Sequence, residues 1–273
     1  MDKSKMIALL IDAENVSPKY IKTILDEVSL SGTPVYKRIY GDWTSVEMSS
    51  WKKVLLEHNL TPIQQFSYTQ GKNASDSAMI IDAMDILYAK NVDGFCLVSS
   101  DSDFTRLAAR LRESRMFVIG MGESKTPTAF KAACDTFKYL DVLMGLKKEK
   151  PERPAPAAKK PAATAKKAVV KTEPEPAAPA EAMHEEPHEQ APAFVPLHAI
   201  MDKVHEIIEL ESEEDGYMLL SQVGVMLSRL YADFDSRNYG YSKLHKLIDS
   251  TGAFETKLLD MPGGGKNVMV RNK

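Results

Sequence analysis

Short apolar runs of strand length recur through the first half of the chain, with amphipathic stretches between them. Met6 to Ile11, Pro34 to Tyr40, Thr61 to Phe66, Gly94 to Val98 and Met116 to Met121 are the runs. Near-continuous apolar runs of this length read as strands buried on both faces. Their alternation with helical patterns calls for a parallel sheet covered by helices on both sides. The first helix is announced by Ser17-Pro18, a capping residue followed by proline at the first helical position. Ile21, Ile24, Leu25 and Val28 follow at helical spacing, and Gly32 ends the helix. Further helices are expected from about Val46 to Glu57, from Ser75 through Leu87, from Phe104 through Leu111 and from Thr126 to Cys134. A short apolar segment, Phe137 to Leu143, closes this three-layer α/β unit, which spans residues 1–146.

Residues 147–196 break the pattern. They hold ten of the chain's 15 prolines, no glycine and almost no large apolar side chain, so they cannot offset their ordering entropy by burial. A disordered Ala/Pro/Lys/Glu linker is expected there. Its first half is basic (Lys159, Lys160, Lys166, Lys167, Lys171) and its second half acidic (Glu173, Glu175, Glu181, Glu185, Glu186, Glu189). A solvated spacer is the plain reading; weak, salt-sensitive contact of the lysine block with a phosphate backbone is the sharper one.

A formal net charge of −3 argues against a general electrostatic grip on nucleic acid, so any such contact must come from local patches. Cys96 and Cys134 form no C-x-x-C pair, which leaves reduced thiols as the default rather than a disulfide framework or a zinc site. The first apolar run is too short for a signal segment, and nothing later approaches a membrane span. A cytoplasmic protein without membrane attachment is the expectation.

Carboxylates gather at strand ends. Asp12 ends the first run, Asp101 and Asp103 follow the fourth in V-S-S-D-S-D-F, and Asp76 opens the helix before that strand. Right-handed crossovers put every post-strand loop on one rim of a parallel sheet, so all four belong there. Singly, Asp76 suits a helix dipole, Asp103 a helix cap and Asp12 an Asx turn. Together, with no His or Cys cluster beside them, they point to a hard cation, Mg²⁺ or Mn²⁺, and to phosphodiester hydrolysis. Asp12, Asp76 and Asp101 are the expected ligands, with Asp103 completing the shell, orienting water or capping the helix. Asn15 can add a neutral oxygen or orient a phosphate, and Lys72 can contact one. No P-loop and no G-x-S-x-G elbow is present, and D-A-E after the first strand departs from the D-x-D of an aspartyl-phosphate phosphatase.

L-L-I-D-A-E-N (Leu9 to Asn15), Y-G-D-W (Tyr40 to Trp43), G-K-N-A-S-D-S-A-M-I-I-D-A-M-D (Gly71 to Asp85) and V-S-S-D-S-D-F resemble the NYN domains. These are PIN-like, Rossmann-like nuclease folds that include the bacterial LabA-like proteins. The resemblance covers about Ile7 to Leu140. It implies a Mg²⁺-dependent, RNase-like site whose acidic residues fall on Asp12, Asp76, Asp101 and Asp103, with Asp135 a weaker match. Ser-Ser before Asp101 stands where Ser-Gly is common in the family.

Beyond the linker, Leu197, Ile200, Met201, Val204, Ile207 and Ile208 make an amphipathic helix, and Met218 to Leu230 supplies another. A third helix, Ser242 to Ser250, precedes two strand-like runs, Phe254 to Leu259 and Asn267 to Arg271, around M-P-G-G-G-K. Helices followed by a hairpin make a small winged helix-turn-helix domain over residues 197–273. Y-M-L-L-S-Q-V-G and F-D-S-R-N-Y-G-Y-S-K-L-H-K-L-I-D resemble the OST-HTH (LOTUS) domain, which implies RNA binding, or protein docking in some relatives. Arg237, Tyr239, Tyr241, Lys243, Lys246 and Lys266 are the candidate RNA contacts, as basic and aromatic side chains suited to phosphate and base. The function expected is a metal-dependent ribonuclease with a tethered RNA-binding module; the alternative is a non-catalytic RNA-binding or ribonucleoprotein adaptor. DNA stays open as a substrate, because a metal meets much the same phosphodiester in both.

Overall fold

A computed structural model describes residues 4–66, 74–148, 194–212, 215–260 and 266–273. The expected linker falls almost wholly outside these residues, and Lys72 and the glycine-rich stretch 261–265 before Lys266 lie outside them too. In chain order the first domain runs β1 (Met6–Asp12), α1 (Ile21–Ser31), β2 (Thr33–Gly41), α2 (Trp51–His58), β3 (Thr61–Gln64) and α3 (Ala74–Ala89). It continues through β4 (Gly94–Val98), α4 (Thr105–Glu113), β5 (Phe117–Gly122), α5 (Thr128–Ala133), β6 (Thr136–Tyr139) and α6 (Leu140–Lys148).

The six strands lie in the order β3-β2-β1-β4-β5-β6, and every pairing is parallel. Strand alternation sorts the apolar side chains between two cores. Ala8, Leu10, Phe95 and Leu97 face α3, α4 and α5, with Met79, Leu107 and Phe130. Ile7, Leu9, Ile11, Cys96 and Val98 face α1, α2 and α6, with Ile24, Trp51 and Leu140. Each fully buried leucine or isoleucine contributes about 1.5–3 kcal/mol, which is why β1 and β4, buried on both faces, read as unbroken apolar runs. Both cysteines are buried free thiols. Among the described residues no helix is long and apolar enough to cross a membrane.

The order in which strands are added reverses between β1 and β4: β2 and β3 step one way across the sheet from β1, and β4, β5 and β6 step the other. In open parallel sheets this switch point opens a crevice at the carboxyl ends of the strands, where ligands bind. Ile11 is in register with Val98, so the ends of β1 and β4 reach the crevice together. Helix α3, which carries Asp76, is tied to β2 because Asp82 accepts from both Arg38 and the Tyr40 hydroxyl.

The C-terminal domain comprises α7 (Leu197–Glu211), β7 (Met218–Leu219), α8 (Leu220–Leu230), α9 (Leu244–Thr251), β8 (Phe254–Asp260) and β9 (Lys266–Asn272). Its sheet has the order β7-β9-β8, antiparallel throughout, beside a core of Ile200, Val204, Val223, Leu227, Ile248 and Val270. The strand β7 replaces the first two residues of the helix expected from Met218. Similarly, the expected closing segment Phe137 to Leu143 divides into the last residues of β6 and the start of α6.

Candidate metal centre

Asp12 is the last residue of β1, at the carboxyl end of the sheet, and is only 1% exposed. Four donors hold its carboxylate. The backbone amides of Glu14 and Asn15 reach Oδ1 at 3.1 and 3.3 Å. The Asn15 side-chain amide and the Ser99 hydroxyl reach Oδ2, each at 2.8 Å. This is the Asx turn expected of Asp12, with the exposed Asn15 bracing the carboxylate through its side-chain amide.

Ser99 links the two sides of the switch point. Its hydroxyl donates to Asp12 and accepts from the Asp101 amide at 3.0 Å. Asp101 then caps the short 3₁₀ turn Ser102–Phe104, its Oδ1 accepting from the Asp103 amide at 2.9 Å. Capping therefore belongs to Asp101, and Asp103 sits in the first turn with its carboxylate directed toward the acidic group. The close approach of β5 fixes the serine loop. Ser99 donates its amide to Met121, and Ser100 Oγ accepts from the Glu123 amide at 3.0 Å. A Cβ at Gly122 would lie 2.6 Å from the Ser99 carbonyl oxygen, a distance only glycine permits.

Asp76, Asp101 and Asp103 each offer a carboxylate oxygen, and these oxygens all lie within 4.8 Å of one another. Asp76 is buried, Asp101 half-buried and Asp103 exposed, so the group opens from the crevice to solvent. The closest trio thus differs from the expected ligand set of Asp12, Asp76 and Asp101. Asp103 stands in the trio where Asp12 was expected, and the Asp12 carboxylate is bonded instead to Glu14, Asn15 and Ser99. Burial, followed by the charges of Asp12, Asp101, Asp103 and Glu14, pushes the Asp76 carboxyl up to about 6. A set of oxygen donors alone, crowded enough to raise one member's proton affinity, suits a hard divalent cation.

Other expected site residues have different surroundings. Asp135 accepts from the Val118 amide at 2.8 Å and pairs with Arg112 at 3.0 Å, at the end of β5 opposite the crevice, so its role is structural. Lys243, Lys246 and Lys266 are exposed, and Tyr241 is half-buried. Arg237 and Tyr239 are turned inward: Arg237 is held by Glu27 and Asp235, and the Tyr239 hydroxyl donates to the Val195 carbonyl. Sequence reasoning passed over Ser99, whose bridging role has no signature beyond its place at the end of β4.

The NYN family matches residues 6–141, and the OST-HTH/LOTUS family matches residues 197–259. Among solved structures, a protein of unknown function from Vibrio parahaemolyticus is similar at 19% identity, covering 51% of this chain and 94% of its own, with a TM-score of 0.43. An uncharacterized protein from Nitrosomonas europaea is similar at 33% identity over 34% of this chain and 89% of its own, with a TM-score of 0.25. No curated protein matches the chain. The strand order, the acidic crevice and the two family matches lead to one identification: the chain belongs to the NYN-domain proteins and carries a C-terminal OST-HTH/LOTUS domain, joining a nuclease-type domain to an RNA-binding type.

Proposed function

We propose that the protein is a metal-dependent ribonuclease, with Asp76, Asp101 and Asp103 holding a divalent cation and Asp12 bracing them through Ser99. The observation that carries this reading is the convergence of three carboxylate oxygens within 4.8 Å, with Asp76 raised to about 6 by its burial and its neighbours. Clustered negative charge facing an anionic polymer hinders binding alone, but it suits a cation that RNA phosphate also contacts. When bound, Mg²⁺ or Mn²⁺ supplies a Lewis acid for a phosphoryl oxygen and a water of lowered pKa. The chain's own part is positional. The Asp12–Ser99–Asp101 hydrogen-bond path holds the Asp101 carboxylate on the rim, and the Asp101 cap does the same for Asp103.

Such a site reads only the backbone, so sequence preference falls to the C-terminal domain. Its exposed Lys243, Lys246 and Lys266 are the contacts we assign to phosphate. The test is cleavage of a mixed RNA and a matched DNA by the full chain, with Mg²⁺ and with EDTA. RNA cleavage confined to Mg²⁺ is expected. Tight RNA binding with no cleavage in Mg²⁺ or Mn²⁺ would replace this reading with the adaptor, and preferential DNA cleavage would change the substrate.

A further inference from the structure

An open parallel sheet has two edges, each presenting backbone donors and acceptors that proteins cover or blunt. Here β6 is one of them. The Phe137 amide donates to the Ala232 carbonyl of the C-terminal domain at 2.8 Å, so that edge is covered from outside the sheet. Around this bond the residues that follow Ala232 meet the NYN domain in sequence. The Tyr139 hydroxyl donates to Asp233 at 2.7 Å, and the Lys138 ammonium to Asp235 at 2.6 Å. Arg237 places both terminal nitrogens on the Glu27 carboxylate of α1, at 2.6 and 2.9 Å. Asp235 also accepts from Arg237, so Lys138, Asp235, Arg237 and Glu27 form one chain of alternating charge across the boundary.

The charges are well shielded: Glu27 is 7% exposed and Asp235 12%. Paired, desolvated charges of this kind specify register more firmly than rim pairs do. An aromatic series runs beside them. Phe194 lies between Tyr139 and Tyr239, with ring centroids 6.1 and 5.3 Å away.

We propose that Ala232–Tyr239 is a docking element that seats the OST-HTH domain on the β6 edge and α1 of the same chain's NYN domain. Arg237 and Tyr239 then serve domain docking, and RNA contact lies elsewhere on the C-terminal domain. Attachment within one chain follows from Phe194: the chain enters its C-terminal domain at this seam, among the residues that form it. The inference is independent of the nuclease reading.

Amide hydrogen exchange in the full-length protein tests it, followed at Phe137 and, as an internal reference, at Leu97 in the central strand. Arg237→Glu and Glu27→Arg are each expected to speed exchange at Phe137 at least tenfold and leave Leu97 unchanged. The double charge reversal should recover most of the protection. Arg237→Gln should change RNA affinity by less than twofold. Lys138→Glu provides a second entry should Arg237→Glu fail to fold, and it should expose Phe137 in the same way. Unchanged Phe137 exchange in these variants would overturn the proposal. So would a tenfold loss of RNA affinity in Arg237→Gln with protection intact, which would make Arg237 an RNA contact. A concentration-dependent dimer whose dissociation accompanies loss of Phe137 protection would overturn attachment within one chain.

Discussion

The Ser99 hydroxyl stands 2.8 Å from Asp12 Oδ2 and accepts from the Asp101 amide at 3.0 Å, so one side chain spans the switch point between β1 and β4. Asp12 ends β1, and Ser99, 87 residues further along the chain, directly follows β4, the neighbour of β1 in the sheet. The acidic crevice therefore depends on a neutral residue for its internal geometry.

Ser99→Ala removes this link while leaving Asp12 its other three donors. A lost hydrogen bond to a buried charged group costs roughly 1.5–3 kcal/mol. Supporting groups behind metal ligands typically change affinity about 10–100-fold, and a loss in that range is expected for Mn²⁺. Urea denaturation and Mn²⁺ titration of the same samples measure the two effects. Unaltered Mn²⁺ affinity would show that the bridge does not position the ligands.

The Asp76 carboxyl sets a pH dependence in the metal-free protein. Its folded value, about 6, lies above its ordinary value of 3.8, so the folded state holds the proton more tightly than the unfolded state. The associated stability is fully present below about pH 4 and is lost as pH rises through about 6. Two pH units correspond to about 3 kcal/mol, and partial access of water to the crevice reduces this to about 1–2 kcal/mol. Asp76→Asn is thus expected to stabilise metal-free protein by that amount at pH 8 and to leave it unchanged at pH 4. Added Mg²⁺ should raise the Tm of the wild type and have little effect on the variant. Chemical denaturation at the two pH values checks the sign.

Gly122→Ala would force a methyl group to within 2.5 Å of Thr126 Oγ1 and 2.6 Å of the Ser99 carbonyl oxygen. The loop holding Ser99 has to shift, and strain of this kind costs about 1–3 kcal/mol. Gly145→Ala is the contrasting substitution. It lies within α6, its added methyl meets nothing within 4 Å, and a gain of about 0.5–1 kcal/mol is expected from helix propensity. Thermal melts of both variants should move in opposite directions.

Lys243 and Lys246 are exposed, Lys243 immediately before α9 and Lys246 within it. If they meet phosphates, Lys243→Glu/Lys246→Glu will weaken RNA binding about equally across sequences. The slope of log K against log salt should fall by about 1.4 for single-stranded RNA, since each contact contributes roughly 0.7. Binding isotherms at several salt concentrations give this slope directly. An unchanged slope would remove both lysines from the interface.

Much of this architecture was readable because local pattern and tertiary role coincide. The run Gly94 to Val98 is buried along its whole length and matches β4 residue for residue. Met6 to Ile11 likewise marks β1, and the four aspartates follow from strand ends and right-handed crossovers. The apolar segment Phe137 to Leu143 hid a boundary, because its first residues become β6 only by pairing with β5 while Leu140 starts a helix. Met218–Leu219 escaped for a related reason, since a two-residue strand depends on β9 for its existence. That the cap falls to Asp101 rather than Asp103 turns on which carboxylate reaches a particular amide, and spacing alone leaves both options open. Arg237 and Tyr239 are the clearest case. Basic and aromatic types suit RNA, but they suit Glu27 and Phe194 equally, and only the folded chain brings those partners beside them.

Single-turnover cleavage of a labelled RNA in Mg²⁺, by the wild type and by full-length Asp101→Asn, tests the central claim most directly. Asp101→Asn keeps the side-chain oxygen that caps the 3₁₀ turn but removes the charge, so the fold and RNA affinity should persist. The account predicts cleavage at least 100-fold slower than wild type, with RNA affinity within threefold. Identical cleavage traces for the two proteins would contradict it and assign the activity to something other than this crevice.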